Sequence, residues 1–368
     1  MTAPSARMNP INLHDYEQLA RDRLSQMVFD YYYGGAEDEL TLRENRLGWQ
    51  QLRLRPRVLV DVGTRDLSTT VLGHSISFPV LTAPCAFNAL AHPDGEIAVA
   101  RAATAVGIVQ VVSTAGTYSL EEVAAAAPSG ARWFQLYCYR DREVTRSLVE
   151  RAAKAGYRAL CLTVDAPLVG RRERDVRNRF GLPPGMMWKN LERVGLERMD
   201  RQEEGSALVQ YISEIWDPCL TWEAIDWVRQ LSPLPLVIKG ILTAEDARRA
   251  VDHGAAAIVV SNHGGRQLDG TLATSAALAE TAAAVGQEVE ILVDGGIRRG
   301  SDILKALALG ARAVLIGRPY LWALAVGGQS CIEHMLGLLR DELDLDMALA
   351  GRPTIASIDR TLVCRPDC

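Results

Sequence analysis

The chain has 368 residues, 48% of them hydrophobic, which is enough for a large core and within the size range of an undivided α/β barrel. A formal net charge of −5 without a concentrated basic stretch excludes nucleic acid as an expected partner. No apolar run reaches the roughly 18 residues of a membrane span, and the first residues lack the apolar core of a secretory signal, so a cytoplasmic protein with no membrane contact is expected.

Residues 12–29 carry Leu13, Tyr16, Leu19, Ala20, Leu24, Met27 and Val28 near helical spacing, which predicts one amphipathic helix. It runs into Tyr31, Tyr32 and Tyr33, with a break at Gly34 and Gly35. Residues 52–77 read as short strands and turns that cover one end of the domain built by the rest of the chain. From residue 78 a strand-then-helix rhythm sets in. Strands are predicted over 79–83, 109–113, 133–137, 159–164, 236–239, 257–261, 291–294 and 313–316. Helices rich in Ala, Glu and Arg are predicted over 94–106, 120–126, 142–155, 244–252 and 301–309. Apolar strands alternating with amphipathic helices specify a parallel sheet covered on its outer face. Eight such units over about 250 residues fit a (β/α)8 TIM barrel better than an open doubly wound sheet. The chain therefore reads as a single domain. Residues 1–77 form an N-terminal extension of helix and short strands, 78–350 the barrel and 351–368 a C-terminal tail.

Residues 166–220, after the fourth strand, interrupt the rhythm with a long polar segment. A connection of this length in a compact domain is usually a lid or a disordered loop. Its mixed charge does not suit a membrane anchor. The seven cysteines form no CxxC pair, which points to reduced thiols and no metal site. Cys161 reads as a small buried hydrophobe, and Cys364 and Cys368 as thiols on a loose tail.

In a barrel of this kind the site is built at the C-terminal ends of the strands. Those ends carry Pro84, Cys85 and Ala86; Ser113; Gln135 and Tyr137; Thr163 and Asp165; Lys239; and Ser261, His263 and Arg266. The last two strands end in Asp294, Gly295 and Gly296, and in Gly317 and Arg318. The stretch 261–269 sets a potential base, His263, and a fixed cation, Arg266, around Gly264 and Gly265, which allow backbone to approach a ligand. Glycine turns after the seventh and eighth strands, with Arg298 and Arg318 beside them, predict a phosphate site. Lys239 at a strand end leaves Schiff-base chemistry open.

Three stretches, 261–269 (SNHGGRQLD), 294–300 (DGGIRRG) and 316–319 (IGRP), resemble those of the FMN-dependent α-hydroxy-acid oxidase/dehydrogenase family. The resemblance runs through Asp30–Tyr32, 134–137, 162–165 and 238–240, and so covers nearly the whole chain from about residue 12. It is strongest to the plant and cyanobacterial oxidase branches. It implies FMN as cofactor, a small (S)-2-hydroxy acid as substrate, O2 as electron acceptor and a homotetramer. His263 would be the catalytic base, with Asp165 orienting it. Tyr31, Tyr137, Arg172, Arg266 and Ala115 would meet the substrate. Arg298, Gly296, Gly317 and Arg318 would hold the phosphate of FMN. Pro84, Cys85, Ala86, Ser113, Gln135, Thr163, Lys239, Ser261, Asp294 and Gly295 would surround the rest of it.

Ala115 and Val169 replace a larger tryptophan and leucine of the plant branch, so a roomier pocket is expected unless Phe87 or the lid refills it. The principal alternative is a soluble dehydrogenase that passes electrons to a quinone or another acceptor. An FMN-dependent isomerase on a similar barrel would not explain the pairing of His263 with Arg266.

Overall fold

The computed structural model describes residues 9–199 and 205–365. The expected first helix is two. Leu24 is extended, and Ser25 caps a new start by accepting the Val28 N–H, so α1 (Leu13–Arg23) and α2 (Gln26–Tyr33) meet at a corner. This turn presents the tyrosines at the end of α2 to the barrel. Helix α3 (Leu40–Gln51) and a short strand β1 (Arg53–Leu54) follow. The hairpin β2 (Thr69–Val71) and β3 (His74–Ile76) packs Val71 and Ile76 into the apolar interior of the barrel. The Leu72 N–H also bonds to Glu290, at the start of a barrel strand, so the hairpin closes the N-terminal mouth.

The barrel alternates β4 (Val80–Thr82), α4 (Gly95–Val106), β5 (Val109–Val112), α5 (Leu120–Ala126), β6 (Arg132–Leu136), α6 (Arg142–Lys154) and β7 (Ala159–Thr163). The long segment after β7 is not a bare loop. It contains α7 (Glu173–Arg177), a 3-10 turn over Lys189–Val194 and α8 (Ala207–Ile215). After α9 (Glu223–Leu231) come β8 (Leu236–Ile241), α10 (Ala244–Asp252), β9 (Ala257–Val260), α11 (Thr274–Val285), β10 (Glu290–Val293), α12 (Gly300–Ala308) and β11 (Ala313–Ile316). Helix α13 (Arg318–Leu349), bent at Gly327 and Gly328, packs on α1 and α4.

All eight strands β4–β11 are parallel and close on themselves, β11 pairing with β4. The tail is not loose at residue 364: β12 (Val363–Cys364) pairs antiparallel with β1, Cys364 opposite Arg53, while Cys368 lies outside the described residues. Among the described residues no helix is long and apolar enough to cross a membrane.

Strand parity places the site. Leu81, Val111, Trp133, Cys161, Val237, Val259, Leu292 and Leu315 fill the barrel interior. Side chains alternate faces along a strand, so the residue two further on shares that direction. Those residues are Ala83, Ser113, Gln135, Thr163, Lys239, Ser261, Asp294 and Gly317. A dry interior thus becomes polar at one level, at the C-terminal end.

Candidate active site

The cleft at this end is lined by every expected substrate residue: Tyr31, Ala115, Tyr137, Arg172 and Arg266. Of the expected cofactor residues, Pro84, Cys85, Ala86, Ser113, Thr163, Lys239, Asp294, Gly295, Gly296, Arg298, Gly317 and Arg318 also line it. Gln135, Ser261 and Asp165 stand one layer behind. Gln135 donates to Thr163 at 3.1 Å and accepts from Ser113 at 3.3 Å, which fixes both hydroxyls. The Ser261 hydroxyl accepts from Lys239 at 3.0 Å and from the His263 N–H at 3.1 Å. Val169 is absent from the lining and packs against the core instead.

His263 lines the cleft with Nδ1 2.9 Å from Asp165 Oδ1, which leaves Nε2 for a ligand. Its backbone is left-handed, φ +58°, a conformation that costs a non-glycine residue roughly 1–2 kcal/mol and recurs at functional sites. Burial pushes the imidazole below its ordinary range; Asp165 opposes this, and Lys239 adds to it. Burial raises the Asp165 carboxyl, but the charges of His263 and Lys239 and the hydrogen bond from His263 outweigh burial and hold it low. The approach of Asp165 depends on a bulge in β8. Gly240 has φ +115°, and a Cβ there would stand 2.6 Å from that of Asp165.

Lys239 lies 3.3 Å from Asp294. Burial alone would lower its pKa, yet Asp294 and Asp165 raise it overall, which favours the ammonium over the free amine that a Schiff base needs.

Four arginines crowd the cleft with little counter-charge. Arg266 spends Nη1 on the Tyr31 and Gly34 carbonyls, at 2.7 and 2.8 Å, and leaves Nε and Nη2 without partners among the described residues. Arg172 stands 4.0 Å from Asp175. Burial, then Arg266, pushes Arg172 down to about 10. Arg318 is more occupied than expected. It donates to the carbonyls of Tyr32, Tyr33, Gly264 and Gly34, holding the end of α2 against the loop that carries His263. Burial, then Arg266 and Arg298, pushes Arg318 down to about 9. Arg298 is half-buried, and its Nε is buried without a partner among the described residues. Buried cations held together in this way call for anions, and guanidinium forks suit phosphate and carboxylate.

Sequence reasoning missed the wall supplied by the segment after β7. Trp188, Leu208, Ile212 and Trp216 line the cleft, and Phe87 lies beside Trp188. Three of these residues, 208, 212 and 216, recur every fourth position on and just beyond α8, a signal that was available. Two of the side chains that anchor the segment are Asn190 and Arg174. Asn190 donates to the Thr114 carbonyl at 2.9 Å and accepts from Leu120 N–H at 2.8 Å. Arg174 on α7 reaches Asp30 at 3.0 Å and Glu39 at 2.6 Å, which sets Arg172 beside Tyr31.

The family model for FMN-dependent dehydrogenases matches residues 20–365. The chain is 55% identical to an L-lactate oxidase of Nostoc, over 99% of this chain and 100% of that protein. It is 49% identical to glycolate oxidase 3 of Arabidopsis thaliana, over 96% of each. A crystal structure of mandelate oxidase with (S)-4-hydroxymandelic acid superposes with a TM-score of 0.91 at 44% identity, covering 95% of this chain and 97% of that one. With strand order, basic cleft and sequence in agreement along almost its entire length, the chain belongs to the FMN-dependent dehydrogenase family.

Proposed function

We propose that the protein oxidises (S)-2-hydroxy acids, with L-lactate, glycolate or longer acids as substrates, to 2-oxo acids, reducing O2 to H2O2. One observation carries this reading: the His263–Asp165 pair, 2.9 Å apart, shares its cleft with Arg266 and Arg172. A base and two guanidinium groups are what a carbon bearing both a hydroxyl and a carboxylate requires. The similarity to oxidases of L-lactate and glycolate supports it.

The residues fit FMN. The unpartnered Arg298 Nε and Asp294 Oδ1 are buried polar atoms awaiting a ligand. At Gly296, φ +84°, a Cβ would overlap the Asn45 carbonyl, so only glycine keeps the backbone N–H groups of this turn in place. Arg298 and Arg318 with the turns at Gly296 and Gly317 would hold the phosphate. Ser113, Thr163 and Lys239, braced by Gln135 and Ser261, would hold the ring, and FMN when bound supplies the electron-accepting group.

The protein's own part begins with the substrate carboxylate on Arg266 Nε and Nη2, assisted by Arg172 and the Tyr31 hydroxyl. Tyr137 meets the substrate hydroxyl. His263 Nε2 takes the proton, and Asp165 steadies the resulting imidazolium through Nδ1–H. Residues 166–220 act as a lid that excludes water. A cytoplasmic homotetramer is proposed from the family resemblance. Electron transfer to a quinone is the competing reading, favoured by the likeness to a soluble mutant of a membrane-associated (S)-mandelate dehydrogenase from Pseudomonas putida, with TM-score 0.89. H2O2 released stoichiometrically with the 2-oxo acid under air decides for the oxidase.

Purified protein is expected to be yellow and to release FMN, not FAD. Stripping FMN should lower the Tm, and inorganic phosphate should partly restore it, because a ligand that binds only the native state stabilises it. Colourless protein that cannot be reconstituted with FMN would refute the assignment.

Arg266→Lys is expected to cut kcat/KM for L-lactate by about 10- to 100-fold, since one ammonium cannot replace the Nε/Nη2 fork. A loss of thermal stability with unchanged kinetics would make Arg266 a scaffold residue.

Ala115 is 4% exposed and borders the cleft, so the pocket should reward the methyl of L-lactate over glycolate. One methylene is worth roughly 10-fold in discrimination, so glycolate should be poor but not excluded. Ala115→Trp should close the space and shift preference toward glycolate. A native preference for glycolate would show that Phe87 and Trp188 already fill it.

A further inference from the structure

A second cavity lies against the first. The two share Tyr137, Thr163 and Trp216 as a common wall. Thr163 belongs to a barrel strand. Tyr137 follows one directly. Trp216 comes from the segment after β7, at the end of α8, and its ring stacks on Tyr137 with centroids 3.9 Å apart.

Trp216 is 6% exposed, and its indole N–H faces the Tyr139 hydroxyl, which it does not meet at full hydrogen-bond geometry. Stacking on Tyr137 is therefore the main contact of this side chain, with Tyr139 a weak polar one. Beyond it the cavity is lined by Leu162, Val164, Pro167, Leu220, Ile225 and Ile241. Of the acids there, Asp217 is paired with Arg142 at 2.7 Å and the half-exposed Asp246 lies 3.7 Å from Arg249. The lining suits a hydrocarbon chain and offers no cation for a second anionic group.

We propose that Trp216 determines substrate chain length: it closes a side-chain subsite, and its displacement admits the alkyl tail of a long 2-hydroxy acid into the second cavity. This rests on the functional reading above, because the carboxylate anchored at Arg266 and Arg172 gives the tail its direction. In the unchanged protein the stacked indole favours short side chains over long ones.

The test compares L-lactate with (S)-2-hydroxyoctanoate in the FMN-loaded enzyme. Trp216→Ala should raise the ratio of kcat/KM for the longer acid over L-lactate by about 10-fold or more. Adding Leu220→Trp, which fills the second cavity, should remove that gain. Binding gives a readout independent of turnover: the Kd of 2-oxooctanoate relative to pyruvate, followed by perturbation of the flavin spectrum, should fall in Trp216→Ala and recover in the double variant. Trp216→Leu serves if the alanine variant fails to retain FMN, and the same rise in ratio is expected. A chain-length profile unmoved by Trp216→Ala or Trp216→Leu, or a gain that Leu220→Trp does not reverse, would overturn the inference while L-lactate still bleaches the flavin. Absence of bleaching by any 2-hydroxy acid in the unchanged enzyme would overturn the functional reading itself.

Discussion

His263→Ala is expected to keep FMN and to lose flavin reduction by L-lactate by about 10²–10⁴-fold, the usual worth of a general base. The imidazole is held for this task from both ends. Ser261 accepts its backbone N–H at 3.1 Å, Asp165 receives Nδ1 at 2.9 Å, and burial pulls its pKa below the ordinary range, toward the neutral form a base needs. Arg298 and Arg318, proposed to hold the phosphate, are untouched by the substitution, so flavin content should change little. Because residue 263 sits at φ +58°, His263→Asn is the better-matched control: asparagine tolerates this backbone more readily than alanine. Anaerobic stopped-flow reduction, normalised to bound FMN, separates the outcomes. Near-normal reduction in both variants would reassign His263 to structure.

The barrel was legible because each strand is a short apolar run bounded by turn residues, and a parallel sheet buries both faces of such a run. The polar level at the mouth was legible too, since inward parity carries from Val111 to Ser113, from Cys161 to Thr163 and from Val237 to Lys239. What parity could not show was depth. Gln135 and Ser261 share that direction but brace neighbours from behind, because Thr163 and Lys239 reach past them into the cleft. The corner at Ser25 was hidden because apolar residues continue at helical spacing through it; a cap changes direction without changing the pattern. The tryptophan wall was missed for another reason. Its segment mixes charged and apolar residues in similar numbers, so the apolar residues that turn inward do not stand out from the rest. Nor does Val169 line the cleft: it packs against the core, which alignment with a pocket residue could not show.

Asp165→Asn is expected to lower kcat/KM by about 10²–10⁴-fold and to move its acid limb to lower pH. Both effects come from one contact. The carboxylate, held ionised by His263 and Lys239, keeps the proton of His263 on Nδ1 and stabilises the imidazolium that forms at Nε2. A neutral amide cannot offset that charge, and its NH2 can turn toward Nδ1, which would favour the unproductive tautomer; a comparable exchange in a serine protease costs about 10⁴. For the pH limb, the base must be neutral to act, so activity falls as pH drops through the pKa of His263. That pKa is already below the ordinary value through burial, and Asp165 is the chief group raising it. Removing the carboxylate takes away the opposing charge while burial and Lys239 remain, so the limb shifts further toward acid. A pH profile of kcat/KM for L-lactate from about pH 4 to 9, in both proteins, reads the shift directly. An acid limb that stays put while the rate collapses would mean that it belongs to another group, and that Asp165 acts on the orientation of His263 without tuning its protonation.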